Sequence, residues 1–457
     1  MTRADRERRA LERAADEAAH EVYQAILSRS PEHDFEPTLD RVLAVCELLG
    51  DPQKAFRTVH VTGTNGKTST ARMIDRLVRE HGLRTGRFTS PHLTTVRERI
   101  AIDGEPISAE RFVEVWQDVA PYVHMIDTRS LAAGGPRMSF FEVLTVMAFA
   151  AFADAPIDVA IIEVGMGGAW DATNVVDGEV AVIAPIAMDH ERWLGHDLVS
   201  IAGEKAGIIK DGATVVLAVQ HEDVEGVLLA AAAQRGARVV REGVDIDVTE
   251  RSVAVGGQLI SLKGLGGIYT EVFLPLYGAH QAHNALLALV ATEALMTGGA
   301  ALDGDVVGSA FADVDSPGRL EVVRSSPTIL VDAAHNPAGI AALVEAVEEA
   351  FEFTRLVGVV GVLADKDAEQ VLSGLEPLLA EIVITRSSSP RSLDVNDLAE
   401  IAIDIFGEDR VHVVERLDDA LDVAVQRAEG AEQYGAGVLV TGSITMVADV
   451  RILLGRG

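Results

Sequence analysis

The segment between residues 57 and 70 constrains the fold more than any other part of this chain. A β-branched run, Thr58-Val59-His60-Val61-Thr62, leads into Gly63-Thr64-Asn65-Gly66-Lys67-Thr68 and then into a helical pattern. A strand that turns at two glycines and enters a helix at Gly-Lys-Thr directs backbone N–H groups and a lysine at an anion. The general phosphate-loop pattern has glycine where Val61 stands; the shorter form here is more specific. The segment therefore predicts an ATP site rather than an ordinary strand-to-helix turn.

Length and composition predict two globular domains. The chain has 457 residues and 48% hydrophobic content, which is too much for one ordinary core. Its single cysteine, Cys46, excludes an internal disulfide and fits a reducing compartment. The Arg3–Glu21 stretch is charged and Ala-rich, unlike a signal peptide, and the Val143–Ala153 apolar run is too short for a bilayer. We expect a cytoplasmic protein with no membrane partner.

The charge balance argues against a nucleic-acid partner. A formal net charge of −31 would repel nucleic-acid phosphates at long range, although a locally basic cleft still admits small anions. Lysines are scarce, so the lysines inside motif-like stretches are stronger candidates for functional residues. These are Lys67, Lys205 and Lys366. Most of the acidic residues are expected on a solvated surface.

The alternation of strand-like and helix-like segments indicates an α/β fold built on mostly parallel sheets. Apolar β-branched runs alternate with helical segments from Val59 onward, which is typical of βαβ units. We predict a doubly wound phosphate-loop domain over residues 1–315, with a helical extension over 1–37 and a small antiparallel excursion over 245–275. After the turn-rich Asp315-Ser316-Pro317-Gly318, a second, smaller Rossmann-like domain is predicted over 316–457. The Ser139-Phe140-Phe141-Glu142 stretch is predicted to be a helix-starting capping box.

Polar residues that end predicted strands form a candidate magnesium site. Glu163 closes one buried run, His190 follows another after Asp189, and Ser90 ends a third segment. Carboxyl ends of parallel strands meet at one edge of the sheet, where such sheets bind ligands. The Thr68 hydroxyl is also expected to face the metal, and the imidazole is the unusual member because magnesium prefers oxygen. A single polar residue at a strand end is more often just hydrogen-bonded within the fold. Several of them together with the phosphate loop favour a magnesium site.

Two further stretches carry candidate chemistry. Lys205, among small residues in Gly203-Glu204-Lys205-Ala206-Gly207, either contacts phosphate as a cation, or is converted by carbon dioxide to an acidic carbamate, or is a solvated helix lysine. Residues alone leave this open. In the Asp332–Gly339 stretch, Asn336 and Pro337 are explained as a helix start, whereas Asp332 and His335 are left as candidates for the site.

Taken in order, these stretches resemble the folylpolyglutamate synthase/dihydrofolate synthase family of the Mur-ligase superfamily. The resemblance runs from about Thr38 to Arg451. It rests on motifs in one order: Thr62–Ser69, Thr89–Leu93, Ser139–Glu142, Glu163–Gly168, Asp171–Asn174, Asp189-His190, Gly203–Ile208, His280–Ala285, Pro317–Arg319 and Asp332–Pro337.

The resemblance implies roles residue by residue. Thr64, Asn65, Gly66, Lys67 and Thr68 would cradle ATP, while Thr68, Ser90, Glu163 and His190 would bind Mg²⁺. Lys205 would be a carbamylated lysine, and Lys67, Lys205, His190 and His335 are the candidate catalytic residues. Asn284 would contact adenine, and Arg319 and Asp332 would reach phosphate and ribose from the second domain. The pterin-containing substrate would be held by Phe140, Phe141, Glu142, Trp170, Asp171 and Ala172.

The implied reaction is the ATP-dependent joining of L-glutamate to an acid. The acid would be dihydropteroate, a reduced folate, or both, and a monomer is expected. The γ-phosphate would pass to the substrate carboxylate, and glutamate's amine would attack the acyl phosphate. One departure is Ala169, where the family usually has a basic residue: either an anionic substrate group is held less tightly, or the residue was replaced deliberately.

Two alternatives differ in testable ways. Another Mur-superfamily amino-acid ligase would normally carry an extra N-terminal domain, and the segment before Arg57 is too short for one. A regulatory phosphate-loop NTPase should show an Asn-Lys-x-Asp guanine motif. Asp365-Lys366-Asp367 fails that pattern because the second aspartate directly follows the lysine.

Overall fold

The computed structural model describes residues 3–29, 36–430 and 435–456. The chain divides into two compact units. Unit 1 comprises Met1–Asp247, Leu262–Tyr269 and Asn284–Phe311, and unit 2 comprises Val248–Ser261, Thr270–His283 and Ala312–Gly457. The predicted division at residue 315 remains a prediction about domains.

The strands of the first sheet are β1 (Arg57–Thr62), β2 (Thr85–Phe88), β3 (Ile100–Ile102), β4 (Glu105–Pro106), β5 (Val159–Glu163), β6 (Val180–Ile183), β7 (Thr214–Leu217) and β8 (Arg238–Arg241). Their order is β4-β3-β2-β5-β1-β6-β7-β8. The run from β2 to β8 is parallel, and β3 and β4 extend it antiparallel. Successive strands switch from one side of β1 to the other, which opens a ligand crevice at the carboxyl ends of β5, β1 and β6.

The helices up to the end of this sheet are α1 (Arg3–Leu27), α2 (Asp40–Leu48), α3 (Lys67–Glu80), α4 (Ala109–Ala132), α5 (Phe140–Asp154), α6 (Glu191–Leu194), α7 (Leu198–Ala206) and α8 (Glu222–Gln234). α5 is apolar around most of its circumference and is therefore buried. It packs with α1, α2 and α4 around Phe88, Phe112 and Phe149. A separate core of β6, β7, α7 and α8 surrounds Ile183 and Leu217. Short 3₁₀ turns cover Pro52–Lys54, Val96–Arg99 and Ala172–Val175.

A small sheet follows, with order β11-β10-β9, made of β9 (Asp247–Ala254), β10 (Gly257–Lys263) and β11 (Ile268–Leu274). The connections are two and four residues long, and only antiparallel neighbours can be joined so tightly. The predicted excursion over 245–275 is therefore confirmed. The helices α9 (Ala279–Thr297) and α10 (Gly304–Ala312) come next.

A six-stranded sheet forms the centre of unit 2, in the order β12-β13-β17-β14-β15-β16. Its strands are β12 (Glu321–Ser325), β13 (Thr328–Val331), β14 (Arg355–Val360), β15 (Glu381–Ile384), β16 (Val411–Val413) and β17 (Ala436–Thr441). All neighbours are parallel except β12 and β13. The helices are α11 (Pro337–Ala350), α12 (Ala368–Leu375), α13 (Val395–Phe406), α14 (Leu417–Glu429) and α15 (Ile444–Leu453), with a 3₁₀ turn at Glu408–Arg410.

The predicted α/β class is confirmed, as are the buried strands on which the site predictions depend. β1 coincides with the β-branched run that leads into the phosphate loop. Helix α1 lies inside the range 1–37 of the predicted extension, of which residues 1, 2 and 30–35 are outside the described residues. The apolar pattern over Asn284–Leu295 predicts only part of α9, which begins earlier, at Ala279, and ends at Thr297. The pattern did not reveal α4, a 24-residue helix that contains Pro121.

Candidate active site

The predicted phosphate loop joins β1 to α3, and two glycines allow its path. Gly63 has φ of +147°, and a Cβ there would lie 2.7 Å from the Ala184 Cβ. Gly66 has φ of +87°, and its Cβ would lie 2.4 Å from the Asn284 Oδ1. Larger residues at either position would meet both backbone strain and a close neighbour. The approach also places Asn284, the predicted adenine contact, directly against the loop.

The two lysines predicted for the site, Lys67 and Lys205, converge on the carbonyl of Gly63. Lys67 Nζ donates to the carbonyl oxygens of Gly63 and Thr64, each at 3.1 Å. Lys205 Nζ donates to the Gly63 oxygen at 2.8 Å. Lys205 is only 4% exposed, and it reaches the loop from α7, which is distant in sequence. The structure thus brings together two lysines that the sequence treats as separate motifs.

Burial makes Lys205 an unusual lysine. Desolvation, followed by the charge of Lys67, lowers its pKa from 10.5 to about 7, while Asp189 and Asp171 act in the opposite direction. A large share of its amine is therefore uncharged near neutral pH, when ordinary lysines are protonated. An uncharged amine is the form that reacts as a nucleophile.

The pocket around these lysines lies at the carboxyl ends of three strands. Its walls come from the segments that follow β1, β5 and β6, and from α7. The lining residues are Thr62, Gly63, Thr64, Lys67, Val164, Gly165, Met166, Gly167, Asp189, His190, Leu194 and Lys205. His190 has a left-handed backbone with φ of 53°, and its Nε2 lies 3.9 Å from the Asp189 Oδ2. This is the crevice that the strand order predicts.

Two of the four predicted magnesium ligands, Thr68 and Ser90, contact a third, Glu163. The Thr68 hydroxyl donates to both carboxylate oxygens of Glu163, at 2.9 and 3.0 Å, and the Ser90 N–H points to Oε2 at 3.4 Å. Glu163 is 1% exposed. The fourth, His190, lines the pocket beside Lys67 and Lys205. Within residues 3–29, 36–430 and 435–456, no three His, Cys, Asp or Glu side chains are grouped as metal ligands.

The two carboxylates in the predicted substrate segment are engaged within the fold. The predicted capping box is confirmed: Ser139 N donates to Glu142 Oε2 at 2.7 Å, and Glu142 N donates to Ser139 Oγ at 3.3 Å. Glu142 Oε1 accepts from Arg41 Nε at 3.0 Å. Asp171 starts the Ala172–Val175 turn and accepts from Met166 N and Thr173 N at 2.9 and 3.0 Å. Direct contact of either carboxylate with substrate stays a prediction.

The other predicted substrate residues are mostly apolar side chains. Phe140 is 3% exposed, and Arg99 lies over its ring at 5.2 Å. The Phe141 ring covers Gly165, where a Cβ would lie 2.5 Å from its Cζ. Ala169 is exposed, and Trp170 makes a hydrogen bond to Glu204. Ala172 begins the short turn after Asp171.

The remaining predicted residues belong to unit 2. Asp332 accepts from Leu320 N at 2.7 Å and Ala334 N at 2.8 Å; burial raises its pKa, and Arg319 opposes that effect. His335 Nδ1 lies 2.8 Å from the Ala333 oxygen. The predicted start of α11 is confirmed, because the Asn336 side chain accepts from Gly339 N at 2.8 Å and Pro337 follows. The nucleotide contacts assigned to Arg319 and Asp332 stay predictions.

Sequence reasoning missed a set of buried polar residues beside the pocket. His60 and Thr62 are fully buried and bond to Thr173 and to Gly167. The signal that could have found them was the alternation of Thr58, His60 and Thr62 in an otherwise apolar strand. That alternation marks one polar face of a strand whose two faces are both covered.

Family comparisons agree with this architecture. Residues 61–292 match the Mur ligase middle domain, and residues 318–444 match the Mur ligase glutamate ligase domain. The phosphate loop, the parallel sheets and these two domains in this order define a Mur ligase.

Relatives narrow the class. The chain is 50% identical to the dihydrofolate synthase/folylpolyglutamate synthase of Mycobacterium tuberculosis, over 95% of this chain and 94% of the relative. It is 33% identical to the enzyme of the same name from Bacillus subtilis, over 91% and 94%. The chain therefore belongs to the dihydrofolate synthase/folylpolyglutamate synthase family, and the resemblance stated from its motifs is confirmed.

Solved structures agree. The M. tuberculosis folylpolyglutamate synthase complexed with ADP and AMPPCP superposes with a TM-score of 0.92 at 49% identity, covering 97% of this chain and 99% of that one. Escherichia coli FolC in complex with DHPP and ADP gives 0.82 at 27% identity, covering 96% and 97%. Among the helices that the structure describes, none has the length and apolar character needed to cross a bilayer.

Proposed function

We propose that this protein uses ATP to join L-glutamate to a folate, to dihydropteroate, or to both. The observation that carries the proposal is the convergence of Lys67 and Lys205 on Gly63, in the crevice at the ends of β1, β5 and β6. The ammonium of Lys67 at a phosphate loop neutralises part of the charge of an anion such as a triphosphate, and Lys205 reaches the same loop from α7. Family membership then favours an acid and an amino acid as the groups that are joined.

The chemistry follows from the poor leaving group of a carboxylate. An amine does not displace oxide from a carboxylate at neutral pH, so the γ-phosphate of ATP is first transferred to the substrate carboxylate. The amine of glutamate attacks the resulting acyl phosphate, and inorganic phosphate leaves from the tetrahedral intermediate. Lys67 stabilises the negative charge that develops on the transferred phosphoryl group. The walls of the pocket position the carboxylate of the acid for attack on the γ-phosphate.

Magnesium fits the oxygen donors around Glu163. The Thr68 hydroxyl and the Glu163 carboxylate offer oxygens in one place, which is the ligand chemistry that this ion prefers, and the Ser90 backbone N–H points to the same carboxylate. We propose these residues and His190 as its ligands, with phosphate oxygens completing the set. The ion would supply charge neutralisation of the triphosphate.

We propose further that Lys205 is carbamylated. The carbamate forms when the uncharged Nζ attacks carbon dioxide and loses a proton. The pKa of about 7 supplies the uncharged amine, and burial at 4% exposure shields the product from water. The resulting anion would face the cation of Lys67 across the Gly63 carbonyl.

The other roles complete the proposal. Asn284 contacts adenine, Arg319 a phosphate and Asp332 the ribose, and His335 takes part in catalysis. The pterin lies against Phe140, Phe141, Glu142, Trp170, Asp171 and Ala172. We also propose that the protein acts as a cytoplasmic monomer; cell fractionation and sedimentation would test those two points.

The direct test measures ADP and amide product with dihydropteroate or tetrahydrofolate, each with glutamate. Lys67→Ala should reduce acid-dependent ADP release at least about a thousandfold, since electrostatic stabilisation at such sites contributes several kcal/mol. Lys54→Ala is the matched control, because Lys54 is an exposed lysine whose side chain pairs with Asp51. Unchanged turnover in Lys67→Ala, or turnover with GTP that equals turnover with ATP, would contradict the proposal.

A further inference from the structure

One face of β1 is polar although the strand is central and covered. Thr58, His60 and Thr62 alternate along β1 and therefore point to the same side, and none is more than 1% exposed. Central parallel strands are normally apolar on both faces. A buried polar side chain costs free energy unless it is hydrogen-bonded, so the partners of this face indicate what it does.

Two of the three side chains bond to the same stretch of chain. The Thr62 hydroxyl donates to the Gly167 carbonyl at 2.9 Å, and His60 Nε2 lies 2.9 Å from the Thr173 hydroxyl. Both partners lie in residues 165–173, the segment that follows β5. This segment is tied to β1 at two points, separated along β1 by one pleat.

Asp171 organises the same segment internally. Its carboxylate accepts from Met166 N at 2.9 Å, from Thr173 N at 3.0 Å and from the Thr173 hydroxyl at 2.5 Å. The single hydroxyl proton of Thr173 is therefore directed to Asp171, and its oxygen accepts from His60 Nε2–H. Burial, followed by the charge of Lys210, lowers the pKa of His60 to about 3, so the imidazole stays neutral in this role.

The segment forms one wall of the lysine pocket. Gly165, Met166 and Gly167 line it together with Lys67 and Lys205. β1 itself runs directly into Gly63 and the phosphate loop. β1 therefore ends in the phosphate loop, and its side chains His60 and Thr62 bond to the segment that forms the facing wall of the pocket.

We infer that His60, with Thr62, is a positioning residue that couples the wall at residues 165–173 to the phosphate loop, so that bound acid and γ-phosphate are held in register. The inference rests on the proposed function. Thr62 lines the pocket, whereas His60 acts through its bond to Thr173 and the segment that contains it. Loss of the His60 bond would let the wall move while the loop continues to bind nucleotide. The acid would then be misplaced, and water would intercept activated phosphate.

The test compares His60→Leu with His60→Gln. The glutamine amide places an N–H donor near the position of the imidazole Nε2, whereas leucine fills the space without a donor. His60→Leu should raise the KM for the acid substrate about tenfold, as expected for one lost buried hydrogen bond, with the KM for ATP changed less than about twofold. ADP release should exceed amide formation in His60→Leu and match it in His60→Gln.

A merely structural role predicts another pattern. Both variants would then lower kcat through loss of active protein, with both KM values unchanged and ADP and amide equal; that pattern overturns the inference. If His60→Leu does not fold, Thr173→Val against Thr173→Ser makes the same comparison, with or without the hydroxyl. Equal behaviour of that pair would also overturn it.

Hydrogen exchange separates this inference from the proposed function. Amide exchange at residues 165–173 should be faster in His60→Leu than in the wild type and His60→Gln, whatever reaction the protein catalyses. Unchanged exchange there overturns the coupling even if the ligase activity is present. If the wild type forms no amide with either acid, the proposed function fails while the exchange result still decides the coupling.

Discussion

Replacing Lys205 by methionine should make the protein more stable and inactive at the same time. Lys205 is buried with a pKa of about 7 in the folded state, against 10.5 for an exposed lysine. Between these two values the unfolded chain binds more protons than the folded one, so the lysine destabilises the fold, and the stability of the wild type rises with pH. Methionine has a similar shape and no charge to desolvate.

The magnitude follows from that pKa difference. Near pH 7.5, the lowered pKa of Lys205 reduces the free energy of unfolding by about 4 kcal/mol, compared with a lysine whose pKa is the same in the folded and unfolded states. Near pH 9.5 this reduction falls to about 1 kcal/mol. Methionine also leaves the Gly63 carbonyl without the Lys205 donor, which costs about 1 kcal/mol. We therefore expect Lys205→Met to stabilise by about 3 kcal/mol at the lower pH and hardly at all at the higher pH.

Urea unfolding in buffer depleted of carbon dioxide measures this difference. Trp116, Trp170 and Trp193 are the chain's three tryptophans and all lie in unit 1, so their fluorescence follows the unit that contains Lys205. Lys263→Met is the matched control, because Lys263 is exposed and its replacement should change stability by less than about 0.5 kcal/mol.

A Lys205→Met variant that is no more stable near pH 7.5, or whose gain does not depend on pH, would refute the reasoning. Bicarbonate gives a second readout, because carbamate formation occurs only on the folded wild type and should stabilise it but not the variant. No effect of bicarbonate would contradict the carbamate and leave the burial argument intact.

Two further predictions concern carboxylates away from the pocket. Asp127→Ala should cost about 3–5 kcal/mol in urea unfolding, because it leaves the buried Arg29 guanidinium without the partner it now meets at 2.8 Å. Asp154→Ala, at a more exposed ion pair, should cost under about 1 kcal/mol, and equal costs for the two variants would contradict the argument. Glu293→Ala should expose the Gly264–Gly267 turn to proteolysis, because Glu293 accepts from Leu265 N, Gly266 N and the Tyr269 hydroxyl. Unchanged cleavage in limited proteolysis would show that the carboxylate does not anchor the turn.

Local pattern was enough to predict the elements around the site. Parallel strands buried on both faces are normally continuous apolar runs, and β5 is evident from such a run. β1 is evident instead from its β-branched residues, Thr58, Val59, Val61 and Thr62. The turn at Gly63 and Gly66 was evident because only glycine suits its backbone there. Long-range pairing was not evident, and neither was α4, whose Pro121 interrupts the expected helical signal.

In the candidate site too, residues within one local motif were predicted, whereas contacts between distant segments were not. Lys67 and Thr68 were predicted from one contiguous motif, since adjacent residues at a strand-to-helix turn share a fixed geometry. The uses of Glu142 and Asp171 in capping and turn formation were only partly visible, because the Arg41 and Met166 partners come from elsewhere in the chain. His60 carried a visible polar alternation, but its partner Thr173 did not.

The sequence by itself determined the α/β class, the phosphate loop and the family, because these depend on short-range backbone preferences and on motifs of neighbouring residues. Only the tertiary structure decided that Lys205 is buried against Gly63 and that His60 is bonded to Thr173. Those facts depend on strand order and on desolvation, which arise when segments more than a hundred residues apart are packed together.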